Sequence, residues 1–320
     1  MRSGWKIWKM VRRKSFWVAC AGVAALLAGC GPRPYRSVPE ALGMPGAERE
    51  VTAREVIIRD GAHTFVFARG KRPARVDGML YYLHSPAGMR TLNAQDCALL
   101  RAGVVEAPTP LGRPLAVMLD AGHGGTDTGC RAGGALEKDI TIAVALEAKR
   151  LLEAAGCRVW LTRNATSPAL SLEARTILAA GAPIDAFVSI HVNSAENQEA
   201  KGIEVYTLPA PGCEGTAANS PARPPMVGQN YLNTATRLAI SVQRALLNLE
   251  PKPEDRGVRH AHFRVLRDTP APAVLVEMGF LTNAEDFKPL TSPEGQQRFA
   301  AAIASGILQA FAVAGPSGQQ

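Results

Sequence analysis

Two different patterns of apolar and polar positions follow each other along the chain. Before about residue 110, short apolar runs such as EVIIRD, TFVFARG and ARVDGMLYYL are separated by glycine and proline, and each run predicts a β-strand. NAQDCALLRAG predicts one short helix here, and PTPLGRP marks a boundary. This pattern predicts a small β-rich region over residues 50–110.

From Leu115 onward, continuous apolar runs alternate with longer segments of helical spacing. The predicted strands are LAVMLD, CRVWLT, IDAFVSIHV, GIEVYTL, HFRVL and PAVLVEMGF. The predicted helices are EKDITIAVALEAKRLLEAAG, SLEARTILAAG, QNYLNTATRLAISVQRALLNL and a last segment that opens with Ser292 and Pro293. Strands that are apolar without alternation are covered on both faces. We therefore expect an α/β domain over residues 115–313, with an open, mainly parallel sheet flanked by helices and a short tail at 314–320.

The net charge of +8 suggests nucleic-acid binding until its position is considered. Six lysines and arginines precede residue 30 with no acidic residue among them, which leaves the rest of the chain nearly balanced. Nucleic acid is therefore not an expected partner. The basic stretch, the apolar run FWVACAGVAALL and the small residues LAGC predict a secretory signal over residues 1–29. The apolar run is short for a membrane span.

The LAGC ending resembles the bacterial lipobox, in which the cysteine becomes lipidated and is the first mature residue. By this resemblance Cys30 anchors an exported, periplasmic or cell-envelope protein to a membrane, and residues 30–49 are a tether. The alternative is a plain signal peptide in which Cys30 has no role. Four further cysteines follow, and the loop-like positions of Cys130 and Cys213 leave a disulfide between them open. No CxxC spacing occurs, which disfavours a zinc–thiolate site.

Chemically active residues stand where the predicted strands end. His123 follows the first strand in VMLDAGHGG, His191 ends the third in FVSIHVN, and Glu277 ends the last in AVLVEMGF. Glu137 stands at the head of the first helix. The carboxyl ends of parallel strands meet at one edge of the sheet, so these groups can converge. Two imidazoles and one carboxylate form a Zn²⁺ site with an open position, and another carboxylate can serve as general base.

Each residue also has an ordinary structural interpretation. A single histidine after a strand is more often hydrogen-bonded than a ligand, and Glu137 can simply favour the helix dipole. Glu277 is the strongest clue, because a buried carboxylate is unfavourable unless it is paired or bound to metal. AGHGG lacks the lysine of a P-loop and is not GxGxxG, which disfavours phosphate binding. The residues alone favour a metal site and leave its reaction open.

The stretch from Val117 to about Phe311 resembles the zinc-dependent N-acetylmuramoyl-L-alanine amidases of the amidase 3 type. The similar segments, in family order, are LDAGHGG, ALEKD, VWLTR, SLEAR, FVSIHVNS, GIEVYTL, DRGVRHAHFRVLR, PAVLVEMGFLTN and AAIASGI. The resemblance implies zinc ligands at His123, Glu137 and His191 and a catalytic glutamate at Glu277. It also implies hydrolysis of the peptidoglycan amide between N-acetylmuramic acid (MurNAc) and L-alanine. Ala121 departs from the proline common in the family, at a position that is not a ligand.

Smaller predictions concern the neighbours of these residues. Asp120 either orients His123 or caps the turn, and Asn193 and Arg256 are candidate substrate contacts. Arg256, in DRGVR, is placed in a loop near the end of a strand. Residues 209–228 form a long loop without helical periodicity, so we expect no self-inhibitory helix, and no activator protein is indicated. Two other functions stay open: a zinc amide hydrolase that acts within the stem peptide, and a non-catalytic wall-binding lipoprotein.

Overall fold

The computed structural model describes residues 32–34, 38–88, 91–217 and 220–313. The predicted signal segment, the lipidation candidate Cys30 and the tail at 314–320 lie outside the described residues. None of the helices in the described ranges has the length and apolar character needed to cross a membrane.

The described elements alternate as the sequence pattern predicts. The strands are β1 (Pro32–Pro34), β2 (Glu48–Val51), β3 (Glu55–Arg59), β4 (Thr64–Ala68), β5 (Pro73–Val76), β6 (Met79–Tyr82), β7 (Thr91–Asn93), β8 (Ala116–Ala121), β9 (Arg131–Ala132), β10 (Ala135–Leu136), β11 (Arg158–Leu161), β12 (Ala186–Asn193), β13 (Ile203–Thr207), β14 (Asp255–His260) and β15 (Ala273–Phe280). The α-helices are α1 (Val38–Ala41), α2 (Ala94–Leu100), α3 (Glu137–Ala154), α4 (Leu172–Ala180), α5 (Leu232–Leu247), α6 (Arg264–Arg267), α7 (Ala284–Thr291) and α8 (Pro293–Ala310). A π-helical turn, Arg101–Val105, extends α2, and a 3₁₀ turn, Val227–Tyr231, precedes α5.

Within the described ranges, eleven strands form one sheet in the order β11-β8-β12-β15-β13-β14-β6-β5-β4-β3-β2. β11, β8, β12 and β15 are parallel, β13 is antiparallel to β15, and β14 is parallel to β13. β2 to β6 form an antiparallel meander whose last strand pairs with β14. The predicted open, mainly parallel sheet preceded by a small β-rich region is confirmed, and the two parts share one continuous sheet.

Alternate residues of the central strands face two separate apolar clusters. In β12, Val188 and Ile190 belong to one cluster, and Phe187 belongs to the other. Helices α3, α5 and α8 cover the first face, whereas the short helices α4 and α6 contribute Ala179 and Val265 to the second. Coverage of both faces explains why these strands are apolar at nearly every position.

The N-terminal module, which we define as residues 38–105, joins the sheet through buried polar side chains as well as through β6. His84 and His260 of β14 stack with their ring centroids 4.0 Å apart. His84 Nδ1 lies 2.7 Å from Asp96 Oδ1, and His260 Nε2 donates to the carbonyl of Tyr82 at 2.7 Å. Burial, aided by nearby His84, holds the pKa of His260 well below its usual value. The stacked histidine pair and these hydrogen bonds therefore fix β14 to the module.

Three predictions about local structure were wrong. ARVDGMLYYL is two strands, because Asp77 (φ 51°) and Gly78 (φ 85°) form a tight hairpin turn between them. HFRVL, predicted as a strand, contains helix α6, while the preceding DRGVRH, placed in a loop, forms β14. Phe263 and Val265 of HFRVL pack into the second apolar cluster from the helix, so their burial does not require a strand.

The segment predicted as a tether is packed over part of its length. Val38 and Leu42 are fully buried, and Met44 is 4% exposed. All three belong to the first apolar cluster of the protein. The residues from Val38 onward therefore belong to the folded module.

Candidate metal centre

The predicted site residues lie together at the carboxyl ends of the central strands. His191 in β12 is the register partner of Glu277 in β15, so the two stand side by side on one face of the sheet. His123 follows β8, the strand on the other side of β12. Glu137 begins α3 and turns its carboxylate toward both histidines. The sheet edge thus brings together all four residues.

The Glu137 carboxylate connects the three elements of the site. Its Oε1 lies 3.0 Å from His191 Nδ1 and accepts from the backbone N–H of Val192 at 3.0 Å. Its Oε2 lies 3.2 Å from His123 Nε2 and accepts from the N–H of Cys130 at 2.9 Å. Burial opposes the charged form, but the two histidines and the Val192 N–H outweigh it and lower the pKa of Glu137. Glu137 is therefore an anion at neutral pH.

A turn with a left-handed residue presents His123 to the site. His123 itself has φ 60°, which is uncommon for a residue other than glycine. Arg163 donates to the carbonyls of Ala121 and Gly122, and Arg175 donates to those of Ala121 and His123. Both arginines are buried. They satisfy the carbonyls of the turn and hold it against the sheet.

Asp127, and not Asp120, contacts the ring of His123. His123 Nδ1 lies 2.9 Å from Asp127 Oδ2, while Asp120 accepts from Thr162, Arg175 and Ser189. The suggestion that Asp120 orients His123 is therefore wrong, because the Asp120 carboxylate accepts hydrogen bonds from these other three side chains. Burial works against the imidazolium of His123, yet Glu137 and Asp127 raise its pKa. A carboxylate four residues after a loop histidine was the signal that could have identified Asp127.

Glu277 stands beside this cluster with an unsatisfied oxygen. Its Oε2 is buried and has no hydrogen-bond partner among the described residues. Burial, followed by the charges of Glu137 and Glu204, raises the pKa of Glu277 well above its usual value. A cation between these carboxylates would reverse that effect, because opposite charge favours the anionic form. The orphaned oxygen is thus compatible with a bound cation.

Glu204 is a second buried carboxylate that the sequence reasoning missed. It is the register partner of Glu277 on β13 and is 2% exposed. Its oxygens accept from Asn193 Nδ2 at 2.9 Å, Tyr206 Oη at 2.9 Å, Arg256 Nε at 3.1 Å and Arg259 Nη1 at 2.7 Å. The two substrate-contact candidates, Asn193 and Arg256, therefore both bind Glu204. The burial argument made for Glu277 applies equally to GIEVYTL and could have identified it.

Cys130 borders the cluster as a reduced thiol. Its Sγ donates to the carbonyl of Val192 at 3.4 Å, and it is not disulfide-bonded. The bridge to Cys213 left open by the sequence is therefore not formed. Burial, together with the charge of Glu137, raises the pKa of Cys130 to about 12. Its sulfur is therefore protonated at neutral pH, unlike the thiolates that bind metals.

His123, Glu137 and His191 offer ligand atoms that all lie within 4.8 Å of one another. Two imidazoles and a carboxylate are the donor set of catalytic zinc sites that keep one position open. Two glycines make room for these groups: a Cβ on Gly122 would meet His191 Cε1 at 2.5 Å, and one on Gly129 would meet Glu137 Oε2 at 2.5 Å. The residues present therefore fit a zinc ion.

The sequence model of the N-acetylmuramoyl-L-alanine amidase family Amidase_3 matches residues 117–309. The chain belongs to this family. It is accordingly an amide-cleaving hydrolase, and the matched range contains His123, Glu137, His191 and Glu277.

Individual relatives agree with this membership. The uncharacterised protein YqiI of Bacillus subtilis is 35% identical over 68% of this chain and 95% of its own length. The amidase AmiC of Neisseria meningitidis is 34% identical over 61% of this chain, which spans 52% of that protein. Among solved structures, the amidase AmiC2 of Nostoc punctiforme aligns with a TM-score of 0.52 and 35% identity, over 61% of this chain and 95% of that one.

The close approach of Gly122 to His191 predicts the effect of one methyl group. Gly122→Ala should weaken zinc binding on the order of 10- to 100-fold, because the added Cβ displaces the imidazole. Isothermal titration with zinc measures the change, and circular dichroism reports whether the fold persists. Gly46→Ala is the matched control, since a Cβ there meets no atom within 4 Å. Equal zinc affinity in Gly122→Ala and the wild type would refute this arrangement.

Proposed function

We propose that the protein is an exported, zinc-dependent N-acetylmuramoyl-L-alanine amidase that hydrolyses the amide between MurNAc and L-alanine in peptidoglycan, in wall remodelling or cell separation. The observation that carries the proposal is the His123, Glu137 and His191 cluster, with Glu277 beside it, inside a chain of this family. Each of the four groups comes from a different element, and the fold brings them to one sheet edge.

His123, Glu137 and His191 would hold the zinc ion, and Asp127 would fix the orientation of the His123 ring. When bound, zinc supplies a Lewis acid that polarises the scissile carbonyl and acidifies water. Glu277 then accepts a proton from the attacking water and delivers it to the leaving amine of L-alanine. Its unpartnered Oε2 is free of hydrogen bonds to described residues that would compete with this role. Glu204, fully paired, does not accept this proton.

The long loop between β13 and α5 supports activity without removal of an inhibitory helix. Its described residues, 208–217 and 220–226, contain no α-helix. Arg72 of the module donates to the carbonyls of Glu214 and Gly215, and Thr216 donates to the carbonyl of His260. The loop is thus held along β14 and the module. We propose that no helix of this loop blocks the site and that none has to be withdrawn before catalysis.

We also propose that Cys30 carries a lipid that anchors the exported enzyme to a membrane. The proposal rests on the basic stretch, the apolar run and the LAGC ending of the first thirty residues. A membrane anchor keeps a wall hydrolase close to its insoluble substrate. It also raises the local concentration of the enzyme at the wall.

Digestion of purified peptidoglycan by the zinc-loaded protein, without added activator, tests the proposed reaction. Mass spectrometry should find glycan with free MurNAc lactyl groups and peptides that begin with L-alanine. Glu277→Gln should bind zinc normally and lose about 10²- to 10⁴-fold in kcat, the usual contribution of a general base. Cleavage within the stem peptide would instead identify a different zinc hydrolase. Unchanged hydrolysis by Glu277→Gln would remove Glu277 from the mechanism.

Metabolic labelling with a fatty acid tests the anchor. The wild-type protein, expressed in a bacterium with lipoprotein processing, should incorporate labelled palmitate and fractionate with membranes, whereas Cys30→Ser should do neither. Cys20→Ser, within the apolar run, is the matched control and should still be labelled. A wild-type protein that is exported without label would show that the leader is a plain signal peptide.

A further inference from the structure

A continuous line of contacts runs from the catalytic residues to the N-terminal module. Glu277 and Glu204 are register partners on β15 and β13. The Glu204 carboxylate accepts from Arg259 of β14 at 2.7 Å, and the Arg259 guanidinium lies 4.7 Å from the ring centroid of Tyr82 in β6. These side chains share one face of the sheet. The module therefore contributes an aromatic ring to the surface that begins at Glu277.

The charges immediately around Glu204 do not cancel. Arg256 and Arg259 share the single carboxylate of Glu204, which leaves one positive charge over. Tyr206 adds no negative charge, because burial, followed by nearby Glu204, raises its pKa above its usual value, so the phenol stays protonated. The surplus cation is accessible, since the side chains of Arg256 and Arg259 are 28% and 19% exposed.

Arg259 also retains unused hydrogen-bonding capacity. Its Nε is buried and has no partner among the described residues. Stacking of the guanidinium on Tyr82 fixes its plane, so its remaining donors point in a set direction. A fixed guanidinium with spare donors is suited to a carboxylate, which accepts two parallel N–H bonds.

The module adds a further cation beside Tyr82. Arg72 donates to the carbonyl of Leu83 at 2.9 Å and to those of Glu214 and Gly215, all backbone acceptors that carry no net charge. The Arg72 charge lies near enough to His260 to lower the pKa of that residue. A second cation of the module therefore lies close to the junction between β14 and β6.

We propose that Arg259 and Tyr82 form a subsite for a free carboxylate of the stem peptide, so that the N-terminal module is part of the substrate site. The subsite proposal rests on the amidase function given above. It requires the stem peptide, on the leaving side of the scissile amide, to lie along the contacts that run from Glu277 to Tyr82. Glu204 and Arg256 position the subsite. The Glu204 carboxylate forms an ion pair with Arg259, and Arg256 forms an ion pair with the same carboxylate.

Two matched substrates test the subsite: a MurNAc-tripeptide with free carboxylates, and the same compound with those carboxylates amidated. The wild type should hydrolyse both at the L-alanine amide and should favour the free form about tenfold in kcat/KM, mainly through KM. Arg259→Gln should bring this preference close to one. Arg259→Lys, which keeps the charge without the planar stacking, should give an intermediate value.

A second variant leaves all the charged partners of Glu204 in place. Tyr82→Leu keeps apolar volume and removes the face on which the guanidinium stacks, so the preference should fall a few-fold. Arg75→Gln, an exposed arginine of the same module whose Nη1 donates to the carbonyl of Gly78, is the control and should keep the wild-type preference. A role in folding alone would lower activity on both substrates equally and leave their ratio unchanged.

The outcomes separate the subsite from the reaction itself. If the wild type cleaves neither substrate at the L-alanine amide, the proposed function is wrong. If the wild type cleaves both without preference, or if Arg259→Gln and Tyr82→Leu retain the preference, the reaction stands and the subsite proposal is overturned. Loss of the preference in both variants, with Arg75→Gln unchanged, supports the subsite.

Discussion

The site depends on one carboxylate, that of Glu137. Its two oxygens lie against both histidines and accept the backbone N–H groups of Val192 and Cys130. Through these contacts the first residue of α3 ties together β12, the loop after β8 and the helix itself. A buried anion is tolerated only where donors or cations surround it. The loop after β8 can therefore pack over the sheet edge because imidazole groups and backbone N–H groups stabilise the buried Glu137 carboxylate.

The two other acids of the site show how environment separates identical side chains. Glu204 receives four donors, two of them guanidinium groups, and is fully satisfied. Glu277, its register partner, has an orphaned oxygen and a raised pKa. One carboxylate thus organises cations on the sheet, and the other retains capacity for a proton. The difference arises because β14 places its arginines beside β13 and not beside β15.

The sequence predicts the parts of the fold that follow from burial alone. Apolar runs placed the central strands, a carboxylate at the end of the last strand located Glu277, and a carboxylate at the head of the first helix located Glu137. It did not predict the contacts made by short polar side chains across loops, so Asp127 was missed and Asp120 was given its place. Nor does any local pattern indicate that β6 pairs with β14, since that contact joins residues far apart along the chain, such as His260 and Tyr82, whose hydrogen bond spans 178 residues.

X-ray absorption at the zinc edge, on the zinc-loaded full chain, tests the ligand set most directly. The account predicts nitrogen and oxygen ligands only, at about 2.0–2.2 Å, with the outer scattering of two imidazole rings from His123 and His191. Cys130 borders the cluster, and its sulfur would be distinguished from nitrogen and oxygen ligands if it replaced one of them. A sulfur scatterer at about 2.3 Å, or the signature of fewer than two imidazoles, would contradict the assignment.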